Sequence, residues 1–318
     1  MNTNHTTVTY FIVTGISEKP ELQVLIFFLV ILIYLITLGG NITILLLICL
    51  DHHLHTPMYF FLANLSVVDI SCSTITLHKI LLSFLTGDKK VPFIECMFQT
   101  YMFGSLAGHE LFILTAMSFD RYVAICNPLN YHKVMSRRTC ISLASFCWLL
   151  GFIQVVPYSV LMANISCYST NEINHFCCDL VPIIGIACSD VSILKALTFI
   201  QGIILFIITP FCLTFISYVF IITTILKIRS SSGRRKAFYT CSSHLMVIIL
   251  LYMTLILQYA IPSQYLAPNA TGTLESKKLY ALFNTAAIPL LNPLIYSLKN
   301  KDVKAALRRM LNLGRVIT

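Results

Sequence analysis

Along the chain, long apolar runs alternate with short polar segments, and the lengths of those runs are the first clue to architecture. Residues 22–50 contain no Asp, Glu, Lys or Arg. Further runs follow at about 57–85, 95–123, 139–163, 196–226, 237–261 and 279–298, which with a first span at about 23–49 makes seven. A helix crosses a bilayer core in roughly 20 residues, and each run supplies about that many or more. The short alternating segments of a membrane β-barrel do not occur. The pattern therefore predicts an all-α membrane protein, a bundle of seven transmembrane helices that takes in residues 1–318 as one domain. Beyond the last span, Val303, Leu307 and Met310 recur at helical spacing with basic residues between them. That predicts a short amphipathic helix at about 299–311 along the inner leaflet. No short apolar segment with a small-residue end precedes the first span, which reads as a retained span rather than a cleaved signal.

Composition agrees with a membrane setting. Of the 318 residues, 57% are hydrophobic and only 11% charged, with a mean hydropathy of +0.81, too apolar and charge-poor for a soluble globular domain. The charges are also unevenly placed. The segment after the third span carries Arg121, Lys133, Arg137 and Arg138, and that between the fifth and sixth carries Lys227, Arg229, Arg234, Arg235 and Lys236. The tail adds Lys299, Lys301, Lys304, Arg308, Arg309 and Arg315. Fifteen of the 22 basic residues thus lie on one side, which the positive-inside rule makes cytoplasmic, with the N-terminus outside. The net charge of +9 follows from that topology and implies no nucleic-acid partner. Sequons at Asn4, Asn164 and Asn269 all fall on the outer side, where glycans are added. Two further matches, at Asn41 and Asn64, fall inside spans and show how little a single sequon proves.

Five of the twelve cysteines face outward: Cys96 at the start of the third span, and Cys167, Cys177, Cys178 and Cys188 between the fourth and fifth. An oxidising exterior favours disulfides among them, and no Cys-x-x-Cys spacing supports zinc. Cys177 and Cys178 are adjacent, so the residues alone leave open which of them pairs with Cys96. The other seven cysteines sit in spans or at their cytoplasmic ends, as small apolar packers.

Polar groups inside the spans carry the candidate chemistry, since an ionisable side chain there costs about 3 kcal/mol on insertion scales and needs a partner or water. Asp69 in the second span and Glu110 in the third are such groups. They read either as separate carboxyls bonded to hydroxyls, or as a shared site for a proton or a monovalent cation, with Asn41 and Asn292 completing an oxygen-rich cluster. Asp120-Arg121-Tyr122 closes the third span abruptly and reads either as a headgroup anchor or as a polar latch between helices. Pro289 and Pro293 permit a kink in the seventh span beside Asn292 and Tyr296. No Gly-x-Ser-x-Gly, phosphate-binding glycine loop or His-Glu-x-x-His occurs, which argues against an enzyme. A transporter would show internal repeats and interrupted mid-membrane helices, and neither is legible.

Asp120-Arg121-Tyr122, followed by Val123-Ala124-Ile125-Cys126-Asn127-Pro128-Leu129, resembles the third-span signature of olfactory receptors among the rhodopsin-like G-protein-coupled receptors. Lys236-Ala237-Phe238-Tyr239-Thr240-Cys241-Ser242-Ser243-His244 is similar to that family's sixth-span signature and is the most family-specific match. Leu54-His55-Thr56-Pro57-Met58-Tyr59 looks like the start of its second span, Gly40-Asn41 like its first, and Pro289 to Tyr296 like its seventh, so the resemblance covers essentially the whole chain. Phe119 departs from it, since the family usually has tyrosine before the charged triplet.

The resemblance implies disulfides between Cys96 and Cys178 and between Cys167 and Cys188, and a ligand cavity in the outer halves of four spans. Phe103, Gly104, Ala107 and Gly108 would line it from the third span, and Phe199, Gly202, Ile203 and Phe206 from the fifth. Tyr252, Leu255 and Tyr259 would do so from the sixth, and Leu282 and Thr285 from the seventh. Such a wall suits a small, mostly hydrophobic odorant, although any one of these residues reads equally well as bundle core. Phe103 stands where aminergic receptors carry an aspartate, which disfavours an ammonium ligand; His109 reads as packing or as bonding to Glu110. The resemblance further implies that Asp120, Arg121, Tyr122, Tyr218, His244, Asn292 and Tyr296 govern activation. Tyr218 would join Tyr296 and Arg121 in the active arrangement, and His244 would link the third and sixth spans near Arg121. Asp69, Glu110 and Asn292 would hold a sodium ion as an allosteric modulator, with no other cofactor. The implied partner is the stimulatory olfactory G protein with cyclic AMP as output, at the plasma membrane of olfactory sensory neuron cilia.

Overall fold

The computed structural model describes residues 8–16, 20–256, 278 and 280–317. Strand β1 (Tyr10–Val13) precedes three unbroken helices, α1 (Pro20–Leu50), α2 (Pro57–Thr86) and α3 (Phe93–Cys126). Pro57 begins α2, where its missing N–H would have been unpaired in any case, and Gly87 ends it with a φ of 73°, a left-handed cap that a side chain would strain. A single turn, α4 (Tyr131–Val134), crosses the cytoplasmic side before α5 (Arg137–Ile153). The Ser136 hydroxyl starts α5 by accepting from the Thr139 N–H.

The later spans depart from plain α-helix, and proline is the common cause. The fourth span, expected as one helix over 139–163, breaks at Gln154 and Val155 and resumes as α6 (Val156–Ala163) with Pro157 in its first turn. The outer loop then forms a short α7 (Leu180–Ile186). The fifth span runs as α8 (Ser192–Leu197), a π-helical stretch (Thr198–Ile208) and α9 (Thr209–Lys227), which opens with Pro210. The seventh repeats this arrangement, a π-helical stretch (Phe283–Ala287) leading into α11 (Ile288–Lys299), which opens with Pro289. In each case the missing donor and the bulk of the ring favour a wider preceding turn.

The sixth span, α10 (Ser231–Leu255), begins before the expected 237 because the Ser230 hydroxyl caps it by accepting from the Gly233 N–H. The basic residues Arg234 and Arg235 therefore lie on a helix rather than in a loop. The tail helix α12 (Lys301–Ile317) is longer than the expected 299–311 and leaves the seventh span at 78°. Six described helices are long and apolar enough to cross a bilayer, and the bent pair Tyr280–Tyr296 and Lys301–Asn312 contains the seventh span and this amphipathic tail. The fold is a seven-helix membrane bundle.

At its outer end lies a small sheet with no counterpart in the hydropathy pattern. Strand β1 pairs antiparallel with β2 (Lys90–Pro92), Phe11 opposite Val91, and parallel with β3 (Glu172–Ile173), Val13 opposite Ile173. Phe11 is wholly buried there against Phe93 and Tyr168. The main core lies toward the cytoplasmic half, where Leu47, Phe61, Leu65, Leu114 and Met117 pack with Ile221 and Ile295.

Candidate functional site

At the cytoplasmic end of α3, Arg121 donates through Nε to Asp120 Oδ2 at 2.9 Å, and the Tyr131 hydroxyl donates to Asp120 Oδ1 at 2.8 Å. Asp120 is fully buried. Of the two readings of the triplet, this is the latch: the carboxylate is turned into the protein and satisfied by two donors. Burial, and then the Asp120 carboxylate, push the Tyr131 phenol above its ordinary range, so it remains a donor at neutral pH. Tyr131 had no signal in the sequence, because it comes from the crossing turn.

One helical layer away, the Tyr218 hydroxyl of α9 and His244 Nδ1 of α10 lie 2.8 Å apart, both buried. His244 thus bonds the fifth span through Tyr218 and also meets the Leu114 backbone of α3, the link to the third span that the resemblance implied. Tyr218 is held by His244 in this arrangement rather than by Arg121 or Tyr296. The Tyr296 hydroxyl is buried with no hydrogen bond among the described residues.

Deeper in the bundle, Asn292 Nδ2 donates to both oxygens of Asp69 at 3.1 Å, and the Asn292 amide also meets the Glu110 carboxyl. Glu110 Oε1, Asn292 Oδ1 and the hydroxyls of Ser66 and Ser73 are buried without partners among the described residues. This oxygen-rich set fits a hard monovalent cation; among the described residues no group of three His, Cys, Asp or Glu offers a transition-metal site. Asn41 Oδ1 is likewise buried with no partner among the described residues. Pro293 has no N–H for the Pro289 carbonyl one turn earlier, and Asn41 Nδ2 takes that acceptor at 3.2 Å, tying the first span to the seventh.

In the outer half, glycines bring three segments together. A Cβ on Gly104 would touch Val155 at 3.4 Å, one on Gly202 would approach the Tyr158 hydroxyl at 3.6 Å, and the space over Gly108 is filled by the Gln154 side chain. The break before Pro157 leaves the Gln154 carbonyl free to accept from Gln201 Nε2 at 3.1 Å. Gln154, Gln201 and Tyr158 were missed in the sequence; Pro157 was the one available signal that this stretch is irregular.

Ala107 and Ile203 are half-buried near this junction. Tyr252 and Leu255 are buried beneath, with the Tyr252 hydroxyl in reach of Thr115 and Thr214. Thr285 is buried and bonds back to the Ala281 carbonyl. Three expected lining residues lie elsewhere. Phe199 is 61% exposed on the outside of the π-helical stretch, Phe103 packs with Val68, Cys72 and Leu106 toward α2, and Leu282 packs with Val30, Leu77 and Ala286. His109 lies flat on Trp148 with ring centroids 3.9 Å apart, and Trp148 Nε1 donates to Asn64 Oδ1. Tyr259 and the side chain of Phe206 lie outside the described residues, as do Asn4 and Asn269; Asn164 is exposed at the outer end of α6.

Above this region the structure joins Cys96 to Cys178 and Cys167 to Cys188, leaving Cys177 as a buried thiol. Gln99 of α3 pins the loop by accepting from the Cys178 N–H at 2.8 Å while donating to the Ile75 carbonyl. Burial, reinforced by Asp179, pushes the Cys177 thiol well above its ordinary range, so it stays protonated and inert. Burial also holds the neighbouring His175 below the usual histidine range, outweighing the opposing pull of Asp179.

A seven-span bundle with an acid-arginine latch at the inner end of its third helix, and a polar cluster between its second, third and seventh, defines a G-protein-coupled receptor. The olfactory receptor family model matches residues 30–313. Mouse olfactory receptor 5G9 is 42% identical over 98% of each chain, human olfactory receptor 2A25 is 43% identical over 99% of each, and human olfactory receptor 1M1 is 42% identical over 97% of this chain and 96% of its own. The chain belongs to the olfactory receptor family: it is a multi-pass membrane receptor for odorants that couples to a G protein, and not an enzyme.

Proposed function

We propose that this receptor binds a small, mostly hydrophobic odorant within the outer half of the bundle, and that binding activates a stimulatory olfactory G protein and raises cyclic AMP in olfactory cilia. The observation that carries the ligand reading is the meeting of α3, the α5–α6 junction and the π-helical fifth span. Gly104, Gly108 and Gly202 let these segments approach closely there, while Gln154, Gln201 and Tyr158 supply a few polar groups in an apolar wall. Few polar groups in an apolar wall suit a ligand oriented by one or two hydrogen bonds.

The odorant must bind the active arrangement more tightly than the resting one, since equal affinity shifts nothing. Two contacts resist that shift: Tyr218 with His244 between α9 and α10, and Arg121 with Asp120 and Tyr131 beneath them. Outward movement of α10 separates the first pair, releases Arg121 and opens a cytoplasmic cleft. A sodium ion among Asp69, Glu110 and Asn292 would favour the resting state, a reading supported by the unpartnered oxygens there. Agonist potency in Asp69→Asn and Glu110→Gln variants should then lose its dependence on sodium and pH; an unaltered dependence refutes the ion.

Cyclic AMP production against a broad odorant panel, with Arg121→Ala as control, tests the main reading. A ligand-dependent rise lost in the variant supports it, whereas silence despite proven surface expression overturns the ligand class or the G-protein type.

A further inference from the structure

Where α1, α11 and α12 meet, the outer surface of the bundle carries a groove of about 210 Å³, floored by Gly39, Gly40 and Thr43 and walled by Pro293, Leu307 and Lys304. Two glycines make it. Gly40 lets α1 approach α11 so closely that a Cβ there would stand 3.0 Å from the Pro293 ring, whereas a Cβ on Gly39 would meet nothing within 4 Å. The close contact draws the helices together and the empty position leaves a trough beside it. At about 210 Å³ the trough falls short of the roughly 300–1,000 Å³ of a drug-sized ligand site and accommodates part of an extended chain.

The groove is apolar except at one end. There the tail helix, bent 78° from the seventh span, lies along the cytoplasmic leaflet and places Lys304 at the rim. The neighbouring basic residues are unequally engaged. Arg309 is bound to Asp51, while Lys301, Lys304 and Arg308 are exposed and take part in no ion pair among the described residues. The nearby Asp302 accepts from the Tyr59 hydroxyl at 3.1 Å. A free cation at headgroup depth above an apolar trough calls for an occupant with an anionic head and a hydrocarbon tail.

We propose that this groove binds an anionic phospholipid of the cytoplasmic leaflet, one acyl chain lying over Gly39 and Thr43 and the phosphate on Lys304. The chain rests on Pro293, adjacent to the Asn292 that holds Asp69, so occupancy bears on the segment of the seventh span that the polar cluster grips.

The test uses the full-length receptor in lipid nanodiscs containing a photoreactive phosphatidylserine or its phosphatidylcholine counterpart. The expected result is preferential cross-linking of phosphatidylserine to peptides covering residues 36–47 and 293–307. Lys304→Gln should lower that cross-linking about fivefold, the order of one lysine at an anionic leaflet, with little change for phosphatidylcholine. Gly39→Leu, whose Cβ meets nothing within 4 Å and whose side chain occupies the trough, should abolish cross-linking of both lipids there, while Phe146→Ala on the exposed face of α5 changes neither. Thermal melting of each variant checks that the bundle is intact. Equal labelling by both lipids with no effect of Lys304→Gln overturns the proposal in favour of ordinary boundary lipid. Receptor dimers that disappear with Gly39→Leu, in place of lipid adducts, overturn it in favour of a second copy of the chain.

Discussion

The two halves of the bundle use polar groups in different ways. Toward the cytoplasmic half, several key side chains are tied by a direct bond to a named partner: Arg121 and Tyr131 to Asp120, Tyr218 to His244, and Asn292 to Asp69. In the outer half the geometry comes from what is absent, the Cβ atoms of Gly104, Gly108 and Gly202 and the N–H groups of Pro157 and Pro210. Bonds between side chains can exchange partners and so can switch; a widened or broken backbone sets a shape. The receptor therefore separates a shaped outer region from a switching inner one along the same helices.

The largest effect that can break this comparison is Arg121→Ala. It removes the guanidinium that activation would release from Asp120 into the cytoplasmic cleft, where one charge-assisted contact is worth about 1.5–3 kcal/mol, so odorant-evoked signalling should fall about tenfold or more at unchanged surface expression. Signalling that persists would deny the inner end its role as the switch.

Next comes a pair of glycine substitutions. A Cβ on Gly151 would lie 2.9 Å from the Ser105 carbonyl, a backbone atom that cannot swing aside, so Gly151→Ala should destabilise the bundle by about 1–3 kcal/mol and lower its melting temperature. Gly108→Ala meets only the end of the Gln154 side chain, and should spare stability while changing odorant preference. Equal melting losses in the two variants would mean that Gly108 is packing rather than part of a shaped cavity.

His244→Phe removes the neutral hydrogen bond to Tyr218, worth about 1 kcal/mol, and should raise basal signalling about fivefold. Tyr218→Phe should match it, and the double variant should add little if the pair acts as one contact.

The smallest effect concerns the tail. The Arg309 hydrogen bond leads the causes that hold the Asp51 carboxyl at about 2, against an ordinary 3.8. Because the folded value is the lower one, the clamp helps above about pH 4 and is lost as pH falls through about 2. At neutral pH, Asp51→Asn should speed hydrogen exchange in α12 slightly, and less so in high salt.

Much of the fold was legible because its rules are local. Pro57, the uncharged run 22–50 and the basic residues beside the inner ends each report on their own stretch of chain. The inner site was legible as a set of motifs, yet the partner of His244 was not, since nothing near residue 244 announces Tyr218. Phe199 was misplaced for a different reason. It was placed by resemblance alone, and it lies at the start of the π-helical stretch, where its side chain is 61% exposed. The outer sheet was invisible because its three strands, four residues or fewer, come from distant parts of the chain.

By itself the sequence determined that this is a seven-span membrane protein with its basic side inward, because bilayer thickness and leaflet charge act on composition one segment at a time. Only the tertiary structure decided which groups meet: Asn41 on the carbonyl that Pro293 leaves free, Gln154 over Gly108, Tyr131 on Asp120. Such contacts require separate backbones to approach to within a hydrogen bond or a van der Waals radius, and that approach is set by the packing of the whole bundle.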